Sequence, residues 1–262
     1  MSAETGFSQS LERGLAILAS FRSERPLLGV SELGRDLGLS RSTTHRYVAT
    51  LVALGYLQQD SASRKYRLGP RVLDLGFSAI NSMELREVAG PHLRELSDAT
   101  GYTANMAILD GLDIVYVDRC RSAQPRQREI DLNLHVGARL PAYCTSLGKV
   151  LLAHLPDEER AARLEQIDLQ RRGPNTITSR AALAAELVRV RRQGYAVNNE
   201  ELAYGLRSIA APMLQHDGSA AGAINLAVHS SMVSSETLGD SLGPVLMRTA
   251  ADISARLGHR QR

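Results

Sequence analysis

Between Ser40 and Arg71 the sequence gathers side chains that can grip a phosphate backbone and read base edges. Arg41, Ser42, Thr43, His45, Arg46 and Tyr47 lie almost side by side, and Arg64, Lys65, Arg67 and Arg71 follow, opposed in that stretch only by Asp60. A guanidinium makes two parallel hydrogen bonds to a guanine edge or a phosphate, and hydroxyls reach either. Phosphate attraction depends on where charge sits, so this cluster implies nucleic acid more clearly than the net charge of +3 does.

These side chains need elements to place them. A helix is predicted from Ser31 to Leu37, with Ser31 as N-cap and Gly38 free to take the left-handed turn that follows. Ser40 caps the next helix. At about 100° per residue its Thr44, Val48, Leu51 and Val52 fall on a packing side, and Ser42, Thr43, Arg46 and Thr50 on a reading side. Tyr56–Gln59 and Tyr66–Leu68 read as two strands around a polar turn, a wing with a basic tip. Duplex DNA is the expected partner, with Arg41, Ser42, Thr43, His45, Arg46 and Tyr47 at the major groove and Arg64 and Lys65 at the backbone.

The 262 residues, 44% of them hydrophobic, suffice for two cores, and a boundary is expected near Gly69-Pro70. Residues 1–68 form the DNA-binding unit, opened by a helix from Ser8 to Phe21 with Leu11, Leu15, Ile17 and Leu18 on one stripe. Residues 69–83 form a linker helix that contacts a partner subunit, and 84–262 a second domain. There, helices are predicted at Leu85–Thr100, Ser146–Leu155, Asp157–Ile167, Ser179–Gln193 and Ser241–Leu257. Strands are predicted at Ala104–Leu109, Ile114–Asp118, Ile130–Val136, Tyr195–Asn199, Arg207–Gln215 and Ala220–His229. Antiparallel strands bracketed by helices make an α+β domain. No apolar run approaches the roughly 20 residues of a membrane span. The polar N-terminus and only two cysteines predict a cytoplasmic chain.

Enzymatic motifs are missing: no phosphate-binding loop, no nucleophile elbow and no zincin helix, and Gly148-Lys149 lacks the glycine spacing of the first. No cofactor is expected. Cys144, at a helix start, is either an activated thiolate or a small buried thiol. His135, His154, His216 and His229 with Cys120 and Cys144 match no compact metal pattern. A metal or redox signal through Cys120 and Cys144 is one alternative to a small-molecule signal; a DNA-tethered thiol enzyme is another. The polar residues at strand ends are more informative. Arg139 and Tyr143 flank Pro141, Asn198 to Glu201 close one strand, Arg207-Ser208 open the next, and Asn225 sits alone within GAINLAV. A buried amide left unpaired costs about 1–3 kcal/mol, so Asn225 bonds either adjacent backbone or a ligand. Arg207 pairs either with a carboxylate ligand or with Glu200 or Glu201.

Several segments together resemble the IclR family of bacterial transcriptional regulators: SLERGLAILASF, LGLSRSTTHRYVATLVALGYL, YRLGPRVLDLG, LDIVYVDR, GARLPAYCTSLGKVLLA, RRQGYAVNNEELAYGLRSIAAPM and AINLAVHSSMVS. The likeness covers nearly the whole chain and is nearest the branch controlling protocatechuate and 4-hydroxybenzoate catabolism, the PcaR, PcaU and PobR types. It implies a winged helix-turn-helix, a linker helix and a GAF-like effector-binding domain, working as a homodimer or a dimer of dimers. It also implies a small organic acid, aromatic in that branch, as effector. Ala142, Tyr143, Asn198, Ser208 and Asn225 would then be pocket walls, with Arg139 or Arg207 as carboxylate partner. Asn198 stands where an acidic residue can occur in the family, and a neutral amide repels an anion less.

Overall fold

The computed structural model describes residues 7–22, 24–81, 84–124 and 134–259. Contacts divide the chain into two compact units, 1–79 and 80–262. In the first, α1 (Gln9–Ala19), α2 (Val30–Asp36) and α3 (Arg41–Ala53) precede a two-stranded antiparallel wing, β1 (Leu57–Gln59) and β2 (Tyr66–Leu68), and then α4 (Arg71–Asn81). Its core is Ile17, Phe21, Leu28, Leu33, Val48, Leu51 and Leu57. Leu11 and Leu15, expected on a packing stripe, face outward at 63% and 57% exposure, because Ile17 is the residue of α1 that points into this core. Val52 is likewise turned out of the packing side of α3.

Turn chemistry fixes these elements. Ser8 and Ser40 cap α1 and α3 through hydroxyls that accept from Leu11 N–H (3.3 Å) and Thr43 N–H (3.2 Å). Helix α2 is capped at Gly29 rather than Ser31, because the Glu32 carboxylate reaches back to accept from Gly29 N–H at 2.7 Å. Gly34 lets α2 meet α3: a Cβ there would stand 3.0 Å from Leu39 O and 3.1 Å from Thr44 Oγ1.

In the second unit, α5 (Glu84–Thr100) leads to β3 (Thr103–Asp110), β4 (Asp113–Cys120) and β5 (Arg139–Pro141). A 3-10 turn at Ala142–Cys144 opens α6 (Ser146–Ala153), followed by α7 (Asp157–Gln166), α8 (Arg180–Gln193), β6 (Ala196–Asn199), β7 (Leu206–Leu214), β8 (Ala220–His229) and α9 (Ser235–Arg256). The strands form one antiparallel sheet in the order β5-β4-β3-β8-β7-β6. One sheet face packs on α5 and α9 through Leu93, Met106, Ile224, Leu226 and Leu246, the other on α6 and α8 through Ala107, Leu147, Leu187, Ala210 and Ala223. Side-chain alternation along each strand sorts residues between the two.

Two predicted boundaries differ. The strand expected at 130–136 falls mostly outside the described residues, 134–136 are not strand, and the edge strand is instead Arg139–Pro141. Helix α9 begins six residues before the predicted Ser241, capped by Ser234 (Thr237 N–H to Oγ, 3.1 Å), and runs through Gly239, Gly243 and Pro244. Packing overrides their helix-breaking tendency: a Cβ at Gly239 would stand 3.4 Å from the Tyr195 hydroxyl. Among the described residues no helix is long and apolar enough to cross a membrane.

Candidate DNA-reading face and effector site

On α3, Arg41, Ser42, His45 and Arg46 are exposed along its first two turns. Thr43 is half-buried and committed to the cap, its N–H and hydroxyl both engaged with Ser40 Oγ. Tyr47 packs against the unit's core, and hydrogen bonding of its hydroxyl to Ser10 is the main cause of a phenol pKa below the ordinary 10.0. Ser42 Oγ also lies 3.1 Å from Ser40 Oγ at the cap, so the structure separates three free reading side chains, Arg41, His45 and Arg46, from Ser42, Thr43 and Tyr47, which are engaged at α3.

The wing turn is built on Asp60, whose carboxylate accepts from Ser63 N–H (2.8 Å) and Ser63 Oγ (2.6 Å). Arg64 then takes a left-handed φ of 59° at the exposed tip. Lys65 is not wholly free for phosphate: its ammonium pairs with Glu32 at 3.1 Å, tying the wing to the start of α2. Glu32 was not singled out by sequence, although its place three residues after Gly29 is a capping signal.

In the second unit the sheet register brings polar residues into two adjacent rows on the α6 face. One row runs Asn198–Ser208–Ala227–Thr103 and the other Ala196–Ala210–Asn225–Asn105–Arg119. Asn198, Ser208, Asn225 and Asn105 are all buried. The 3-10 turn and the start of α6 come down on this face. Ser208 Oγ lies 2.7 Å from Ser146 Oγ, and Asn198 donates to Cys144 O (3.3 Å) while accepting from Glu201 N–H (2.9 Å). Ala142 and Tyr143 are buried in the 3-10 turn, Tyr143 donating its hydroxyl to Gln170 O at 2.6 Å. Gly148 permits this closeness, since a Cβ there would stand 2.2 Å from Ala142 O. Alanines floor the rows, so the amides and hydroxyls stand above small side chains.

Asn225 bonds a side chain rather than neighbouring backbone: Asn105 Nδ2 donates to Asn225 Oδ1 at 2.8 Å, and Arg119 Nη1 donates to Asn105 Oδ1 at 2.9 Å. The two arginines expected as carboxylate partners are not brought here. Arg139 is on the exposed edge strand, paired with Asp110 (2.7 Å) and Asp113 (3.5 Å). Arg207 points to the opposite sheet face, where it donates to Asn199 Oδ1, Ser230 O and Val233 O at 2.6–2.8 Å. Strand parity explains the second case, because Arg207 and Ser208 are adjacent and must face opposite ways. Asn105 and Arg119 went unremarked in sequence; an isolated amide in an apolar strand, the signal used for Asn225, also marks Asn105.

Cys144 is buried, and that burial pushes its thiol up to about 12, which removes the activated-thiolate reading. Cys120 is half-buried and also raised by burial. Among the described residues no group of three or more His, Cys, Asp or Glu side chains is arranged to hold a metal.

A winged helix-turn-helix followed by a separate sheet domain with a polar, alanine-floored face defines a DNA-binding transcriptional regulator with an effector-binding domain. Residues 10–61 match the IclR helix-turn-helix domain and residues 77–255 the bacterial transcriptional regulator IclR C-terminal domain. The chain belongs to the IclR family. It is 36% identical to the Pca regulon regulatory protein of Pseudomonas putida, over 98% of this chain and 86% of that protein. It is 35% identical to the p-hydroxybenzoate hydroxylase transcriptional activator of Acinetobacter baylyi, over 93% and 89%. The crystal structure of an IclR homolog complexed with 4-hydroxybenzoate, from Microbacterium hydrocarbonoxydans, superposes with a TM-score of 0.80 at 27% identity, covering 95% of this chain and 99% of that one. The protein is a regulator and not an enzyme.

Proposed function

We propose that this regulator responds to a small aromatic acid of the 4-hydroxybenzoate or protocatechuate kind, bound on the α6 face of the sheet at Ala142, Tyr143, Asn198, Ser208 and Asn225. The observation that carries this reading is the convergence of Asn198, Ser208 and Asn225 in adjacent rows over alanines, beside the start of α6. A flat ring stands on small apolar side chains while amides and hydroxyls bond its oxygens. The Pca and p-hydroxybenzoate relatives and the 4-hydroxybenzoate-bound homolog support the effector class.

Output is through operator DNA, read by Arg41, Ser42, His45 and Arg46 with Arg64 and Lys65 on the backbone. The working form is a homodimer or dimer of dimers in the cytoplasm; the exposed Leu73 and Leu75 on α4 support such association. Domain limits of 1–68, 69–83 and 84–262 complete the reading. A thermal-shift screen with 4-hydroxybenzoate, protocatechuate and β-ketoadipate tests it, because a ligand of the native state raises stability by mass action. An upward shift with an aromatic acid is expected, and no shift with any member of the set removes the effector class.

A further inference from the structure

The polar row across the sheet has a direction. A guanidinium only donates hydrogen bonds, so the Asn105 atom bonded to Arg119 Nη1 must be its carbonyl oxygen. That leaves Asn105 Nδ2 to donate to Asn225 at 2.8 Å, and the Asn225 atom receiving it must be Oδ1. Asn225 Nδ2 is then the group on the far side, next in register to Ala210 and Ala196, and no acceptor among the described residues bonds it. Asn225 is 4% exposed, and with its Oδ1 engaged by Asn105 the hydrogen-bonding capacity of this Nδ2 is unspent.

We infer that Arg119, acting through Asn105, is the positioning residue that fixes Asn225 as a hydrogen-bond donor and so makes the site select an effector oxygen that only accepts, a carboxylate, over an amide of the same shape. The inference rests on the reading of this face as the effector site and adds its polarity. Without Arg119 either orientation of the two amides satisfies their mutual bond, and the site presents an oxygen as readily as an NH2. With Arg119 one orientation remains. Selectivity is thereby set two strands away from the ligand, by a residue that need not touch it.

The test replaces Asn105→Asp in the full chain. A carboxylate there accepts from both Arg119 and Asn225 Nδ2, which turns Asn225 and presents Oδ1 to the site. Binding of 4-hydroxybenzoate and of 4-hydroxybenzamide is measured by calorimetry for the wild type, Asn105→Asp, Arg119→Met, Arg119→Lys and Asn225→Ala. The wild type should prefer the acid, and Asn105→Asp should lower the acid-to-amide preference by at least about tenfold, since a charge-assisted bond is exchanged for repulsion between oxygens. Arg119→Met should erase the preference and Arg119→Lys, still donor-only, should keep it; a merely structural Arg119 would change both affinities together. A wild type that binds amide as tightly as acid, or an Asn105→Asp variant that keeps the full preference, overturns the inference while Asn225→Ala still reports whether the site itself is right.

Polarity is also read without any ligand. Side-chain amide exchange in nitrogen-15-labelled protein should be slow for Asn105 and fast for Asn225 in the wild type, and slow for Asn225 in Asn105→Asp. The reverse pattern in the wild type overturns the inference even if neither probe binds, an outcome that by itself removes only the aromatic-acid reading. If Asn105→Asp fails to fold, Arg119→Met and the wild-type exchange pattern decide.

Discussion

Lys149 is a charged side chain buried and held on several sides. It is 1% exposed, and its ammonium donates to Glu201 Oε1 (2.5 Å), Val197 O (2.7 Å) and Glu186 Oε1 (3.3 Å). Burial holds the Glu201 carboxyl above its ordinary value, whereas for Glu186 the same burial effect is outweighed by Lys149 and Arg189 and its pKa is lowered. Removing one partner of such a pair strands a buried charge, so Lys149→Met should destabilise by about 3–5 kcal/mol in a denaturant titration. The double variant Lys149→Met, Glu201→Leu should recover part of that loss. Because Glu201 N–H also anchors Asn198 Oδ1, the single variant should weaken acid binding too. Cys144 makes a simpler prediction: with its thiol near 12, iodoacetamide at neutral pH should leave it unmodified in folded protein and label it once unfolded.

Elements carry the next set of expectations. The wing is held by two carboxylates below their ordinary values: Glu32, lowered chiefly by the Gly29 N–H and then by Lys65, and Asp60, lowered chiefly by Ser63. A depressed carboxylate contributes stability that is present above its unfolded pKa and lost as pH falls through the folded one. Protection factors of the Arg64 and Lys65 amides, exchange being normalised to its intrinsic rate at each pH, should therefore fall as pH drops below the ordinary values of 4.5 and 3.8, while α3 stays protected. Protection factors that are flat across that window would show that neither carboxylate holds the wing. Gly148→Ala, whose Cβ would collide with Ala142 O, should force the 3-10 turn off α6 and lower both stability and acid affinity.

Much of this architecture was legible because local rules sufficed. Caps at Ser8, Ser40 and Ser179, the left-handed Gly38, Gly101, Gly111 and Gly194, and alternation along β3, β7 and β8 all announce their elements. The start of α9 was not legible, since Gly239 and Pro244 read as breakers, and only the fold sets Tyr195 against Gly239. The site was half legible for a related reason. Asn198, Ser208 and Asn225 reveal themselves by type and place, but parity that turns Arg207 away and register that sets Arg119 beside Asn105 are properties of the paired sheet.

At the scale of the molecule, the proposed effector, bound within residues 80–262, would alter DNA binding by residues 1–79 only so far as its affinity differs between the DNA-competent and incompetent arrangements. The coupling is reciprocal, so operator DNA must change acid affinity by the same factor as acid changes operator affinity. Arg46→Ala should weaken operator binding and, where its contact is to phosphate, reduce the salt slope by about 1. Unchanged affinity and slope would move the reading face elsewhere. Light scattering should find an even-numbered oligomer, and substituting Leu73 and Leu75 by Ser should dissociate it if α4 supplies that surface.

The most direct measurement is calorimetric titration of 4-hydroxybenzoate and protocatechuate into the wild type, Asn225→Ala and Arg46→Ala. An aromatic acid should bind the wild type and Arg46→Ala alike and bind Asn225→Ala at least about tenfold more weakly, because a buried donor to a carboxylate is lost. Acid binding that is equally tight in Asn225→Ala and the wild type would contradict the assignment of this sheet face as the regulator's input.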